Sequence, residues 1–525
     1  MKLKSSLCLA VAIAMMVGCA EHGNQNEIGA ALSVTDQQSA SHWFVDGEQA
    51  VQSSLDLFGS PANGHARNVI LFVGDGMGIS TVTAARILAG QRAGNPGEEH
   101  RLSFEHFPVT GLIKTYNTNQ QTPDSAGTMS AMMTGVKTRA GVIAVDENAL
   151  RADCQSSQGR ELVSALELAE SRGKATGIVT TARITHATPA ATYAKSPERG
   201  WESDDAMPAA AREAGCRDIA EQLVSFSVGD GLEVALGGGR RHFLPQQEGG
   251  RRADGRNLIR EWQAMHPQGN YVASADELQQ APMQGPLFGL FSSSHMAYDA
   301  QRQDSELDQP SLSEMTALSL DRLATHKQGY FLMVEGGRID HGHHAGSAFN
   351  ALNEAVAFSD AVRVAMDKTD PSETLIIVTA DHSHVFTIAG YPTRGNPILG
   401  KVVGNDEHGE PASAPLLAAD NMPYTTLGYM NGPGFAQREG VGNPDERKEM
   451  PVKAGRQDLS QVDTRAPGYH QESLVPMSSE THGGEDVGVW ARGPGALLLS
   501  GTHEQNVIFH VMARAAGLLP QSSGE

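Results

Sequence analysis

The chain is poor in cysteine, in positive charge and in long apolar runs. Only four cysteines occur among 525 residues. Cys8 falls inside an N-terminal leader and Cys19 at its end, so Cys154 and Cys216 remain, as one disulfide or as two buried thiols. An oxidising compartment favours the disulfide, and closing a loop of that length stabilises a fold by roughly 4 kcal/mol in the chain-entropy model. Lys and Arg number 40 against 61 Asp and Glu, a net charge of −21, so the basic face of a general nucleic-acid binder is missing. A field of that sign repels anions, and an anionic substrate needs local cations to overcome it. Beyond the leader no apolar run approaches the roughly 20 residues that span a bilayer. The nucleophile elbow of serine hydrolases, G-x-S-x-G, is also absent, which disfavours an ordinary esterase. What is present is an ordinary globular composition, 40% hydrophobic, with enough chain to bury a large core.

Residues 1–18 read as an export signal, with Lys2 and Lys4 ahead of a short apolar stretch over 7–16. The stretch ends in Met16-Val17-Gly18-Cys19, which resembles the lipobox of bacterial lipoproteins with Cys19 as the lipidated first residue. The alternative is ordinary cleavage beside an incidental cysteine. Residues 19–41 are polar and read as a flexible tether. Over 43–58, Ala50, Val51, Leu55 and Phe58 fall near one face of an amphipathic helix, packed on its own domain or embracing a second subunit. Apolar runs at 68–73, 111–116, 177–181, 232–236, 331–334, 374–379 and 487–491 then read as buried strands. Helical patterns lie between them, for example at 80–88, 161–171, 347–366 and 504–515. This alternation predicts an α/β three-layer sandwich: a large, mostly parallel central sheet with helices on both faces. The pattern breaks over 391–478, which is rich in Pro, Gly, Asn and Asp. A loop so long is unlike a compact domain, so a small inserted subdomain is expected between a catalytic first part, 42–390, and a last part, 479–520.

In an open α/β sheet, ligands bind beyond the carboxyl ends of the strands. Asp75 follows NVILFVG, Glu335 and Asp340 follow FLMV, and Asp381 and His382 follow TLIIVTA. Four acidic residues at such positions are not what a core needs, and buried carboxylates normally meet a cation. In VEGGRIDHGHH, Asp340 and His344 stand four apart and share one side if the chain is helical, a spacing that suits two ligands of one zinc. His482 in THGGED adds a donor near the last strand; His341 and His343 flank the ligands and stay unassigned. In TPDSAGTMSAMMTGV, Ser125 stands at a helix start. There it is either an N-cap or a nucleophile whose hydroxyl a metal activates, with the helix N-terminus receiving an anion. Arg199, in HATPAATYAKSPERGW, is either a surface ion pair or a planar fork for two phosphate oxygens. Thr188 with Asp75 and Glu335 makes the hard oxygen set that magnesium accepts, and His186 could reach that ion through water.

These segments resemble the alkaline phosphatases, the animal branch more than the enterobacterial one. The matching stretches are NVILFVGDGMGISTVTAARILAGQ, KTYNTNQQTPDSAGT, THATPAATYAKSPERGWESDD, FLMVEGGRIDHGHH, VTADHSHVFTIAGYPTRGNPILG and ETHGGEDVGVWARGP, in family order from about Asn68 to Gly495. The resemblance implies hydrolysis of phosphate monoesters through a phosphoserine on Ser125. It implies a first zinc on Asp340, His344 and His482, and a second on Asp75, Asp381 and His382. It implies magnesium on Asp75, Thr188 and Glu335, with Arg199 on the phosphate and a Cys154–Cys216 disulfide. It further implies a homodimer, with a crown-like subdomain at 391–478. Calcium, held by animal members, is not expected here. Ser292 follows Phe291 where a glutamate is expected, the loop after GGGRRHFLP is shortened, and Asp308 alone survives. Ser479 occupies a pocket-rim position that varies among animal isozymes. The expected location is exported, in the periplasm or at the cell surface, tethered at Cys19. The rival readings are a phosphodiesterase or sulfatase of the same superfamily, or an inactive metal-binding surface protein.

Overall fold

The computed structural model describes residues 32–519 except 305–306, 439–450 and 454. The leader and the expected lipidation site Cys19 lie outside the described residues. In chain order the strands begin with β1 (Asn68–Gly74), β2 (Val109–Lys114), β3 (Ala175–Arg183), β4 (Val234–Gly238), β5 (Asn270–Val272), β6 (Leu287–Leu290), β7 (Tyr330–Gly336) and β8 (Thr374–Ala380). Short strands follow: β9 (Ser383–His384), β10 (Phe386–Ile388), β11 (Leu427–Gly432), β12 (Ala436–Gln437), β13 (Tyr469–His470), β14 (Ser473–Pro476) and β15 (His482–Gly483). The last are β16 (Val487–Arg492) and β17 (Gly501–Glu504).

Ten strands form one sheet in the order β17-β2-β16-β8-β1-β7-β3-β4-β6-β5. Strand β1 is parallel to β7 and β8 on its two sides, with Val73 opposite Glu335 and Thr379. Strands β3, β4, β5 and β6 continue the parallel array, and β16 alone runs antiparallel to its neighbours. Every residue of β1 from Val69 to Gly74 is buried, as a strand covered on both faces requires. One set of helices joins Ile79–Arg92, Leu312–Leu323 and Ala348–Lys368. A second joins His42–Phe58, Ser125–Thr134, Ala165–Ser171 and Val507–Ala515. The three-layer architecture expected from the sequence is therefore the observed one.

The differences are local. Strands β5, β6 and β17 were not anticipated: they have only three or four residues, too few for periodicity to register. Glu504 was expected to open the last helix but ends β17, where Lys114 and Lys137 hold its carboxylate at 3.0 and 2.8 Å. The tether expected over 19–41 is not free in its described part. Thr35 caps a helix at Asp36–Ala40, and Gln38 is fully buried. Its amide donates to the carbonyls of Thr134 and Val163 and accepts from Val163 N–H, so a polar side chain is fully satisfied inside the fold. The next helix, His42–Phe58, lays Phe44 and Val51 on its own domain, with Phe44 against Phe509 and His510 of the C-terminal helix. Phe44 and Val51 are thus buried within the chain, while Val45 and Leu57 of the same helix stay exposed.

Among the described residues of 391–478, β11 pairs with β14 and β12 with β13, and β10, just before this stretch, pairs with β11. Antiparallel β9 and β15 join the two ends of this stretch and place His482 opposite His384. Cys154 and Cys216 are bonded, with Cα atoms 5.9 Å apart, beside a small cluster of Trp201, Met207 and Ala211. Among the described residues no helix is long and apolar enough to cross a membrane.

Away from the carboxyl ends of the strands, Glu170 is buried next to Glu233 at the start of β3, where Thr176 bonds both side chains. Burial, and then the Glu233 charge, raise the Glu170 carboxyl far above its ordinary range. A carboxyl raised on folding stabilises below its unfolded pKa and loses that contribution as pH climbs toward the folded one. We therefore expect Glu170→Gln, which keeps an acceptor for Thr176, to raise the thermal midpoint over wild type at about pH 9 but little at about pH 5. Differential scanning calorimetry at the two pH values measures this, and an equal shift at both would contradict it.

Candidate active site

Three adjacent parallel strands deliver the acidic groups. Asp75 follows β1, Glu335 lies in the last turn of β7, and Asp381 and His382 follow β8. All four are fully buried. The short helix Arg338–His344 contributes Asp340 and His344, one turn apart, with His344 Nε2 3.2 Å from Asp340 Oδ1. His482, brought in by β15, puts its Nε2 3.5 Å from the same oxygen and 3.2 Å from His344 Nε2. His382 Nε2 lies 3.4 Å from Asp75, 3.3 Å from Asp381 and 3.1 Å from Ser125 Oγ. The donors spread along the sequence therefore converge in one place.

Ser125 is the first residue of the helix Ser125–Thr134, and it is not the cap. Asp124 takes that role, accepting from Gly127 N–H at 3.1 Å. Capping by the neighbour leaves the seryl oxygen to face His382 at the helix N-terminus. The other Asp124 oxygen holds Arg199 Nη1 at 3.0 Å, and Arg199 Nη2 lies 3.2 Å from His186 Nε2. His186 is held at about 3 by burial and by the Arg199 and Arg183 charges, so its neutral ring is the acceptor. Ser125, Arg199, His186, Asp340, His344 and His482 line a single cavity of about 420 Å³, with Ser479 on its wall.

The electrostatics call for cations. Both oxygens of Asp75, Oε1 of Glu335 and Oδ2 of Asp381 are buried without a hydrogen-bond partner. Burial, and then Asp381, Asp340 and Glu335, push Asp75 far above the carboxylate range. Burial raises Glu335 to about 8, helped by Asp381 and opposed by the hydroxyls of Thr180 and Thr188. Carboxylates packed together with no donor between them are costly, and a bound metal removes the cost.

The imidazoles are prepared to match. Nδ1 of His344, His482 and His382 faces the carbonyls of Glu480, Pro123 and Ser383 at 2.6, 2.7 and 3.2 Å. A carbonyl only accepts, so each Nδ1 carries the proton and each Nε2 presents its lone pair to the carboxylates. Four sets of donor atoms lie within 4.8 Å of one another: Asp75, Asp381 and His382; Asp340, His382 and His482; Asp340, His344 and His384; Asp75, His186 and Glu335. Nitrogen with carboxylate suits zinc, and a mostly oxygen set suits magnesium.

Sequence reasoning missed His384, Glu480 and Asp124. His384 Nδ1 lies 2.6 Å from Glu480 Oε2, and its Nε2 lies 2.9 Å from Asp340 Oδ1. Burial opposes charge on His384, but Glu480 and Asp340 outweigh it and raise the ring to about 10. The signal was legible: His382 and His384 stand two apart on an extended segment, which turns both rings the same way. Of the two unassigned histidines, His343 spends both nitrogens, on Thr81 at 2.9 Å and Tyr429 at 2.8 Å. His341 lines the cavity, its ring 4.0 Å from that of His295. At the position compared with an animal calcium site, the Asp308 carboxylate accepts from Asp276 N–H at 3.2 Å, and the Ser292 carbonyl accepts from the main chain of Gly239 and Arg240.

A family profile described as alkaline phosphatase matches residues 66–518. The tissue-nonspecific isozyme of alkaline phosphatase from Felis catus is 44% identical over 497 residues, covering 91% of this chain and 89% of the relative. An alkaline phosphatase from Gadus morhua is 45% identical over 466 residues, covering 86% of this chain and 92% of the relative. Among solved structures, the Thermus thermophilus alkaline phosphatase superposes with a TM-score of 0.61 at 27% identity, covering 89% of this chain and 95% of that one. The enzyme of the Antarctic bacterium TAB5 shares the fold, with a TM-score of 0.58 at 21% identity, covering 86% and 99%. With the profile spanning the whole sheet and relatives this similar over nearly the full chain, the chain belongs to the alkaline phosphatase family and is a phosphomonoester hydrolase.

Proposed function

We propose that hydrolysis runs through a phosphoryl group carried on Ser125, at a site that holds two zinc ions and one magnesium. Asp340, His344 and His482 would hold the first zinc, and Asp75, Asp381 and His382 the second. Asp75, Thr188 and Glu335 would hold magnesium, with His186 beside them. The observation that carries this reading is the set of buried, partnerless carboxylate oxygens facing Nε2 lone pairs next to a seryl oxygen. When bound, such ions act as Lewis acids: they lower the pKa of a hydroxyl and neutralise charge on a phosphoryl group.

The chain supplies the rest. Arg199, steadied by Asp124, offers a planar fork to two non-bridging oxygens and fixes the phosphoryl group before the helix N-terminus. The Ser125 oxygen attacks phosphorus in line, its bond to phosphorus forming as the bond to the alcohol oxygen breaks, and the proton lost from the seryl hydroxyl is balanced by the one the alcohol gains. Water then attacks the phosphoserine, returning the seryl oxygen and releasing phosphate. Two inversions give net retention at phosphorus. Most of the rate enhancement is electrostatic, because positive groups are already aimed where charge develops.

The wider reading follows the same resemblance. The chain would be exported by its leader, lipidated at Cys19, and active as a homodimer in the periplasm or at the cell surface. Residues 391–478 would serve as a crown-like subdomain at the subunit interface. Radiolabelled palmitate should enter the wild-type protein and be lost in Cys19→Ser.

Ser125→Ala should lower phosphomonoester turnover by at least about 10³-fold while leaving zinc and magnesium content near wild type. Persistent hydrolysis in that variant would mean that another group attacks phosphorus. Acid quenching of the wild-type reaction should trap phosphate on Ser125, seen by peptide mass spectrometry. Chelation should abolish turnover, and zinc with magnesium should restore it. A clear preference for a diester or a sulfate over a monoester would overturn the reading. Arg199→Ala should cost about 10²-fold in kcat/KM, since it removes a charge-assisted pair from the transition state.

A further inference from the structure

Three arginines line the cavity that holds Ser125, and they are not alike. Arg199 is matched by Asp124 at 3.0 Å. Arg183 is matched by Glu202, whose two oxygens take its Nε and Nη2 at 2.7 and 2.6 Å. Arg241 pairs with no carboxylate among the described residues. Its Nε lies 3.3 Å from His242 Nε2, and its two terminal amino groups have no hydrogen-bond partner among the described residues. The nearest acidic groups are already engaged, Glu202 by Arg183 and Asp205 by Arg251 at 3.0 Å.

Arg241 stands in the turn Arg240–His242 directly after β4, on the same edge of the sheet as the reaction centre. The main chain there is fixed. Its N–H donates to the Ser293 carbonyl at 3.2 Å, and its carbonyl accepts from Arg251 N–H at 2.7 Å. The side chain is half-buried; burial and then Arg183 disfavour its charge, and Glu202 and Asp205 favour it from beyond ion-pair distance. An arginine does not escape by losing its proton. Such a cation is poorly placed unless an anion completes it. The phosphoryl group under attack is claimed by Ser125 and Arg199, and a cavity of about 420 Å³ has room for more than that group.

We propose that Arg241 is a specificity-determining residue that binds a second anionic group, phosphate or carboxylate, carried on the leaving alcohol of the ester. The proposal rests on reading this cavity as the phosphomonoesterase site and adds which esters it prefers. Against a net charge of −21, an unmatched arginine lining the cavity also supplies the local attraction that a multiply anionic substrate needs.

The test compares matched esters on the metal-loaded, full-length enzyme. One is 3-hydroxypropyl phosphate, whose leaving group is neutral, and the other is propane-1,3-diyl bisphosphate. After correction for its two equivalent phosphoryl groups, wild type should prefer the bisphosphate. In Arg241→Ala the kcat/KM ratio should fall at least about tenfold, chiefly through KM, the scale of one charge-assisted bond. Arg241→Lys should restore part of it, and added salt should shrink the wild-type preference. A third ester, 3-phosphooxypropanoate, separates the two anions. A shared loss supports a general anion subsite, and a loss confined to the bisphosphate supports one for phosphate. An unchanged ratio in Arg241→Ala, or parallel losses on charged and neutral esters, would overturn the proposal. If wild type turned over neither ester, the phosphomonoesterase reading itself would fail and take the inference with it.

Discussion

Four carboxylates brought together at one edge of a sheet repel one another, and much else in the molecule answers that repulsion. The topology makes it unavoidable. Strands β1, β7 and β8 are adjacent and parallel, so the residues that follow them emerge side by side. Each strand is buried on both faces, so water cannot screen the acids it delivers. In an ordinary core this would select against the sequence, since each lone acid costs several kcal/mol or takes up a proton. Here the surrounding imidazoles show what the arrangement is for. Their protons are tied to backbone carbonyls and their lone pairs point inward, so the pocket offers donors to cations rather than protons to acids.

The same logic separates the two signs of charge around the cavity. Of the four acids only Asp340 lines it, and Asp75, Glu335 and Asp381 are fully buried beside it. Arg183, Arg199 and Arg241 line it together with five histidines. Asp124 stands at the boundary and serves both sides. One of its oxygens caps the helix that carries Ser125, and the other orients Arg199. Ser125 and Arg199 are therefore set by one carboxylate, which couples their geometry more tightly than two separate supports would.

Much of this was legible in the sequence. Apolar runs gave every strand of the sheet that is five residues or longer; in β1, β7 and β8 burial on both faces leaves an unbroken hydrophobic signature, whereas β2 alternates buried and exposed residues. The short strands β5, β6 and β17 escaped, since pairing with a neighbour defines them and their own pattern does not. The acids were visible because a carboxylate directly after an apolar run is anomalous. Ser125 was harder, because a helix-start serine is usually a cap. Only the structure shows that Asp124 does the capping. Gln38 lay beyond reach, as nothing local marks a glutamine whose partners are Thr134 and Val163. Arg241 was equally hidden, because its distinction is a missing counter-ion, and no sequence pattern records an absence in space.

The stretch over 391–478 bears on the site through its ends more than through its body. Strands β9 and β15 bracket it and pair directly, so His482 lies opposite His384. Glu480 locks that return. Its main-chain N–H donates to the His344 carbonyl at 3.0 Å, its own carbonyl takes His344 Nδ1, and its carboxylate takes His384 Nδ1 and the N–H of Val385. Two histidines are thereby oriented by one residue, and a third, His482, is oriented by Pro123 two positions before Ser125. A metal site assembled from distant parts of a chain needs such cross-ties, because an ångström of drift at one ligand shifts every other. The register of this short ladder therefore ties the two ends of the stretch to the site.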